Sequence, residues 1–218
     1  MKTQKHLLLV TIFAFLSFVS SAQFNIESRK NVYSNPNLKN FISTQKSVAI
    51  VPFKATISYK HIPKNYNIEE NAMEEKRLGQ NMQLGMFTYL LGKSEKYSVS
   101  FQDVERTNAL LKQAGIFEKI DDILPDSLCK LLKVDAVIRC NYSYEKKGSE
   151  GGAIVSAVLL GGLSSTGSGG LTMQINDKVN GDLIWRFYKE MNETIGSNAN
   201  EVMERMMRKV SRNFPYEK

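Results

Sequence analysis

Two runs of alternating polarity, residues 171–179 and 182–192, meet at Asn180-Gly181, the dipeptide best suited to the positive-φ pair of a two-residue hairpin turn. That junction fixes two antiparallel neighbours in a sheet and excludes an all-helical chain. Three further runs supply partners. Residues 47–53 (Ser-Val-Ala-Ile-Val-Pro-Phe) are apolar on both alternating faces, as in a strand covered on both sides, and Pro52 marks its exit because it lacks a ladder donor. Residues 134–145 place Ala136, Ile138, Cys140, Tyr142 and Tyr144 on one face and Arg139, Asn141 and Ser143 on the other. One side is thus buried, and the other meets solvent or a partner. Residues 97–101 alternate as a short strand, and residues 54–66 read as a strand extension followed by a loop at Pro63.

Between the strands the period changes to that of a helix. In residues 67–91 the acids Glu69, Glu70, Glu74 and Glu75 crowd the first turns, while Met73, Leu78, Met82, Met86 and Leu90 recur at helical spacing. Asp103 is placed to cap a helix running to Ala114, with Gly115 as its left-handed stop. Residues 125–133 turn Leu128, Leu131 and Leu132 inward. Residues 200–214 carry Met203, Met206, Met207, Val210 and Phe214 on one stripe and Arg205, Arg208, Lys209 and Arg212 around the rest, and Pro215 ends the helix. The expected fold is α/β (α+β): a single mixed sheet of about five strands backed by helices, with a long helix after the first strand and a C-terminal amphipathic helix. A hydrophobic content of 42% is enough for one core, assigned to a single domain over residues 46–218. Residues 23–45, polar and Asn-rich, read as an extended lead-in.

The start of the chain carries an address. Lys2 and Lys5 precede an apolar run from Leu7 to Val19, and Ser20, Ser21 and Ala22 follow it. This is the three-part pattern of a secretory signal peptide, residues 1–22. The run is shorter than the roughly 20 apolar residues a membrane-spanning helix needs. No cysteine follows it to accept a lipid anchor, so the expected destination is the periplasm or the outer-membrane periphery. Removing Lys2 and Lys5 lowers the formal charge of +7 by two. The remaining excess is spread along the chain and lacks the basic stripe of a nucleic-acid binder.

Motifs for chemistry fail on spacing. Gly85 and Gly92-Lys93-Ser94 are too far apart for a phosphate loop, and the segment closes a helix where that motif should open one. The glycines from Gly148 to Gly170 precede a strand, with no helix N-terminus to hold a pyrophosphate. His61 is the one histidine beyond the leader, with no nucleophile or metal partner spaced around it. The pairs Glu69-Glu70 and Asp121-Asp122 fit helix starts. The expectation is therefore no catalytic, cofactor or metal residues. The candidate interaction segment is the uncharged run containing Gly151, Gly152, Ala153, Ile154, Val155, Val158, Leu159, Leu160 and Leu163. As a helix, 13 residues would reach about 20 Å, short of a bilayer. Three readings stay open: packing on the core, a subunit contact, or a dip into a lipid surface. For Cys129 and Cys140 two outcomes stay open, a disulfide in an oxidising compartment or two buried thiols.

The strand Val48-Ala49-Ile50-Val51-Pro52-Phe53, the helix with Val104, Leu110, Leu111 and Gly115, and the run from Leu131 to Ile138 resemble the CsgG-like superfamily. That group includes curli-secretion channel subunits, the penicillin-binding-protein activator lipoprotein and the amino-terminal domain of TolB. The hairpin from Asp177 to Trp185 is similar to the group's acidic residue, Gly turn and Trp-bearing strand, and the ending Asn213-Phe214-Pro215-Tyr216 is similar to that of secreted Bacteroidetes proteins. The resemblance spans roughly residues 46 to 214. It implies an envelope protein with a helix-backed sheet, working by binding an envelope partner or by self-association, with no catalytic residues to carry over. The alternative it raises is an oligomeric secretion or pore component, touching membrane through residues 148–170. A small hydrolase using His61 is a third reading.

Overall fold

The computed structural model describes residues 29–146, 165–194 and 199–218. The leader and the segment 151–163 lie outside the described residues. The β-branched and aromatic runs form seven strands: β1 (Lys30–Ser34), β2 (Ser47–Ile50), β3 (Lys54–Tyr59), β4 (Ser100–Phe101), β5 (Ala136–Lys146), β6 (Ser165–Asp177) and β7 (Leu183–Thr194). Among the described residues the α-helices are α1 (Leu38–Thr44), α2 (Ile68–Leu91), α3 (Val104–Gln113), α4 (Pro125–Leu132) and α5 (Ala199–Val210).

The strands make one mixed sheet in the order β1-β7-β6-β5-β2-β4, with β3 also on β5. β2 and β3 both run parallel to β5, at Ala136 to Ile138 and at Asn141 to Lys146 respectively. They form one line interrupted at Pro52, which has no N–H to give the ladder. The sheet therefore has two strands more than the sequence pattern predicts. β3 was legible as an extension. β1 was not, because all five of its residues are exposed and it is held by its backbone ladder to β7. The polar lead-in is thus partly folded, as β1 and α1.

One sheet face is covered by helices across its central strands. Ile50, Ile138, Cys140, Met173, Trp185 and Phe187 pack there beneath Met82, Met86 and Leu90 of α2 and Met203, Met206, Met207 and Val210 of α5. Each such side chain contributes on the order of 1.5–3 kcal/mol by leaving water. Met73, assigned to the same stripe by its spacing, is instead 64% exposed, because the first turns of α2 face β3 with Asn71 and Glu75. The other face is covered at one end, where Ala49, Val51 and Val137 pack against Leu111, Leu128, Cys129 and Leu132 of α3 and α4.

Local signals behave as their chemistry requires. The Asn67 carboxamide accepts the N–H groups of Glu69 and Glu70 to start α2, and the Asp103 carboxylate accepts those of Glu105 and Arg106 to start α3. Gly115 adopts φ +69° behind α3. The hairpin is wider than the two-residue turn predicted. Asp177 N–H bonds Asp182 C=O at 3.0 Å, and the Asp177 carboxylate draws in Val179 N–H at 2.8 Å. Gly181 supplies the positive φ of +73° within that wider loop.

Candidate functional site

The alternation that buries Tyr142, Met173 and Phe187 turns their strand neighbours to the opposite face, which α3 and α4 leave open. Registers assemble those neighbours into rows. Lys54, Asn141, Thr172, Tyr188 and Asn31 form one row across β3, β5, β6, β7 and β1. Thr56, Ser143, Gly170 and Glu190 form the next, and Arg139, Gln174, Arg186 and Tyr33 a third. At about 4.8 Å between strands, five strands give a platform about 19 Å across.

Its border and surface are well defined. Arg139 marks the edge of the covered half, donating to the carbonyls of Ile120 at 3.4 Å, Asp121 at 3.3 Å and Ile123 at 3.5 Å. The Asp121 carboxylate also pairs with Lys54 at 3.0 Å, so the cations on this border are answered from within. Toward the centre, the Tyr188 ring lies over Gly170, where a Cβ would sit 3.4 Å from the Tyr188 hydroxyl and 3.1 Å from Ser143 Oγ. The Tyr188 hydroxyl donates to Glu190 at 2.8 Å, and burial together with that carboxylate raises its pKa. Hydroxyls, carboxamides and two tyrosines, Tyr188 and the 43%-exposed Tyr33, make a flat polar surface over an apolar layer. Such a surface suits contact with another macromolecule, since tyrosine gives large contact area at low entropy cost.

A concavity of about 450 Å³ lies between α1 and the β6–β7 loop, lined by residues including Asn37, Asn40, Phe41 and Asp177. Its floor is a buried chain of hydrogen bonds, in which the Tyr216 hydroxyl donates to Gln45 Oε1 at 2.6 Å and Gln45 Nε2 donates to Asp177 at 2.7 Å. Burial, and then the Asp177 carboxylate, push the Tyr216 phenol far up. Nearby, the Asp135 carboxylate accepts the N–H groups of Lys46 at 2.8 Å and Ser47 at 3.0 Å, and the Lys178 ammonium. Partial burial opposes ionisation there, yet Lys178 and the two backbone donors hold the group down at about 2. These bonds lock the first helix, the hairpin and the C-terminal tail together.

The residues singled out in the sequence fare differently. Cys129 and Cys140 are both free and buried. A disulfide between them is not formed, because Cys129 lies on α4, packed against one sheet face, and Cys140 lies under the helices of the other. Burial, then Asp177, Asp126 and Asp135, push the Cys129 thiol up to about 12, and burial alone lifts Cys140 well above its usual value. The segment Gly151 to Leu163 lies outside the described residues, but its flanks are placed: Lys146 pairs with Gly167 at one end of the β5–β6 ladder. His61 is exposed in the loop between β3 and α2. The pair Glu69-Glu70 serves the start of α2, and Asp121 answers Lys54 and Arg139.

Sequence reading assigned one polar face to residues 134–145 but missed its extent. The matching signal was the alternation of Arg186, Tyr188 and Glu190 with Trp185 and Phe187. Tyr33 and Asn31 carried no such signal.

No protein-family model and no curated protein matches the chain. Solved structures similar to it include lipoprotein GNA1162 from Neisseria meningitidis, at 12% identity and TM-score 0.45, covering 77% of this chain and 94% of that one. PelC from Paraburkholderia phytofirmans, solved as a dodecamer, is 12% identical with TM-score 0.43, covering 87% and 97%. The LpoB C-terminal domain from Salmonella enterica is 9% identical with TM-score 0.34, covering 72% and 94%. The resemblance to the CsgG-like superfamily rests on the motifs given above.

Proposed function

We propose that the chain is an exported cell-envelope protein that works without catalysis, as a docking or assembly module whose contact surface is the open sheet face. The observation that carries this reading is the platform itself: three registered rows of mostly polar side chains on a sheet whose opposite side is packed by helices across its central strands. Because that sheet is braced by two helices, the surface is pre-organised and little freedom is lost when a partner lands on it. Export is supported by the leader pattern of residues 1–22. The occupant of the platform is an envelope protein or another copy of the chain.

The test is co-purification of the exported chain from the native envelope, with Ser143→Arg and Thr172→Arg placed together in the platform and Ala109→Arg on the exposed side of α3 as control. Partner recovery or self-association lost with the first variant and kept with the second supports the reading. Equal recovery from both would remove it. The membrane-contact alternative is favoured by one placement: Lys146 and Gly167, either side of residues 151–163, pair on neighbouring strands at one end of the sheet. Liposome flotation of the exported chain with and without residues 151–163 decides it. Negligible flotation of both is expected, and flotation abolished by the deletion would favour the alternative.

A further inference from the structure

The sheet edges are treated unequally. Beyond β4, the C-terminal tail lies along the chain: Ser98 N–H bonds Tyr216 C=O at 2.9 Å and Lys218 N–H bonds Lys96 C=O at 2.9 Å. Beside β3, α2 supplies side-chain caps, Glu75 accepting Ile57 N–H at 2.7 Å and Asn71 donating to Ile57 C=O at 3.3 Å. β1 has no such cover among the described residues. Glu190 N–H bonds Arg29 C=O and Asn35 N–H bonds Ile184 C=O, which fixes the antiparallel phase: residues 29, 31, 33 and 35 bond inward to β7. The N–H and C=O groups of Lys30, Val32 and Ser34 therefore point outward, in the two-residue rhythm that pairs a further strand.

Charge selects what that strand would be. Arg29 ends β1 on the open face, and Arg186 lies opposite Tyr33 on the same face. On the other face Lys30 reaches Asn213 Oδ1 at 3.2 Å, beside the exposed Arg212. Arg29 faces Glu190 across the β1–β7 pair, whereas Arg186, Lys30 and Arg212 have no acidic partner among the described residues. An incoming basic strand would meet like charge on both faces, whereas an acidic one would meet a counter-charge on both.

We propose that the free edge of β1 receives an extended, acidic segment of a partner protein, which adds to the sheet by backbone pairing. The edge adjoins the platform through β1, but Val32 lies opposite Phe187 on the other face and outside the platform rows, so its variant tests the edge alone. The proposal is tested with the chain purified after export and two labelled seven-residue probe peptides, one alternating glutamate with valine, the other lysine with valine, followed by fluorescence anisotropy. The acidic peptide is expected to bind more tightly, and added salt to weaken it. Val32→Pro removes one outward donor without touching the β7 ladder, and is expected to weaken binding about tenfold, the effect of one such bond. Should that variant lose its native circular dichroism, Arg29→Glu with Arg186→Glu replaces it, and is expected to abolish the preference for the acidic peptide. No binding of the acidic peptide, equal binding of both peptides, or undiminished binding by a folded Val32→Pro chain would overturn the proposal.

Discussion

At the residue scale, Asp135 does the most with least space. One carboxylate satisfies the N–H groups of Lys46 and Ser47 and meets the Lys178 ammonium, joining the start of β2 to the hairpin loop. Replacing it by Asn removes the charge from those bonds and is expected to cost about 1–3 kcal/mol in urea unfolding. Its pKa is lowered in the fold to about 2, so its contribution is complete above the unfolded value near 4 and disappears as pH falls from about 4 toward about 2. Acid unfolding of Asp135→Asn should lack that part of the pH dependence. Gly79 is a second single-residue constraint. A Cβ there would lie 2.3 Å from the Phe53 carbonyl oxygen, a backbone atom that cannot swing aside. Gly79→Ala is therefore expected to destabilise by about 1–3 kcal/mol despite its better helix propensity, a loss readable from its thermal melt. Both thiols should resist a disulfide-exchange reagent in the native protein and react once it is unfolded, since burial keeps them protonated.

At the scale of elements, the C-terminal tail is a structural strap. Tyr216 is fully buried, bonds Gln45, and lines an aromatic contact with Phe214 at 5.5 Å between ring centroids. Ending the chain at Pro215 is expected to cost about 3–5 kcal/mol, the range for losing a large buried ring. What the sequence made legible follows from the same physics. α2 and α3 announced themselves through their acidic or capped starts and α5 through its apolar stripe, because these signals are set by local chemistry. β1 had no readable signal, since an exposed edge strand has no buried face to impose alternation; its existence depends on β7, some 150 residues away in sequence. The turn at Asn180-Gly181 was read too tight because the Asp177 carboxylate, held by Gln45, also accepts Val179 N–H within a wider loop.

At the scale of the whole molecule, helices bury one sheet face across its central strands and the other only beside β2 and β4, so the α/β fold leaves half a layer open. Half of this platform was foreshadowed by the polar face of residues 134–145, whereas its β7 and β1 rows emerged only with the register. The account stands on that half-layer being a contact surface. A photo-activated cross-linking residue at position 33 or 143, with position 109 on α3 as control, tests it in the intact envelope. The account predicts discrete cross-linked species from positions 33 and 143 and none from position 109. Adducts from position 109 alone, or none from the platform at full expression, would contradict it.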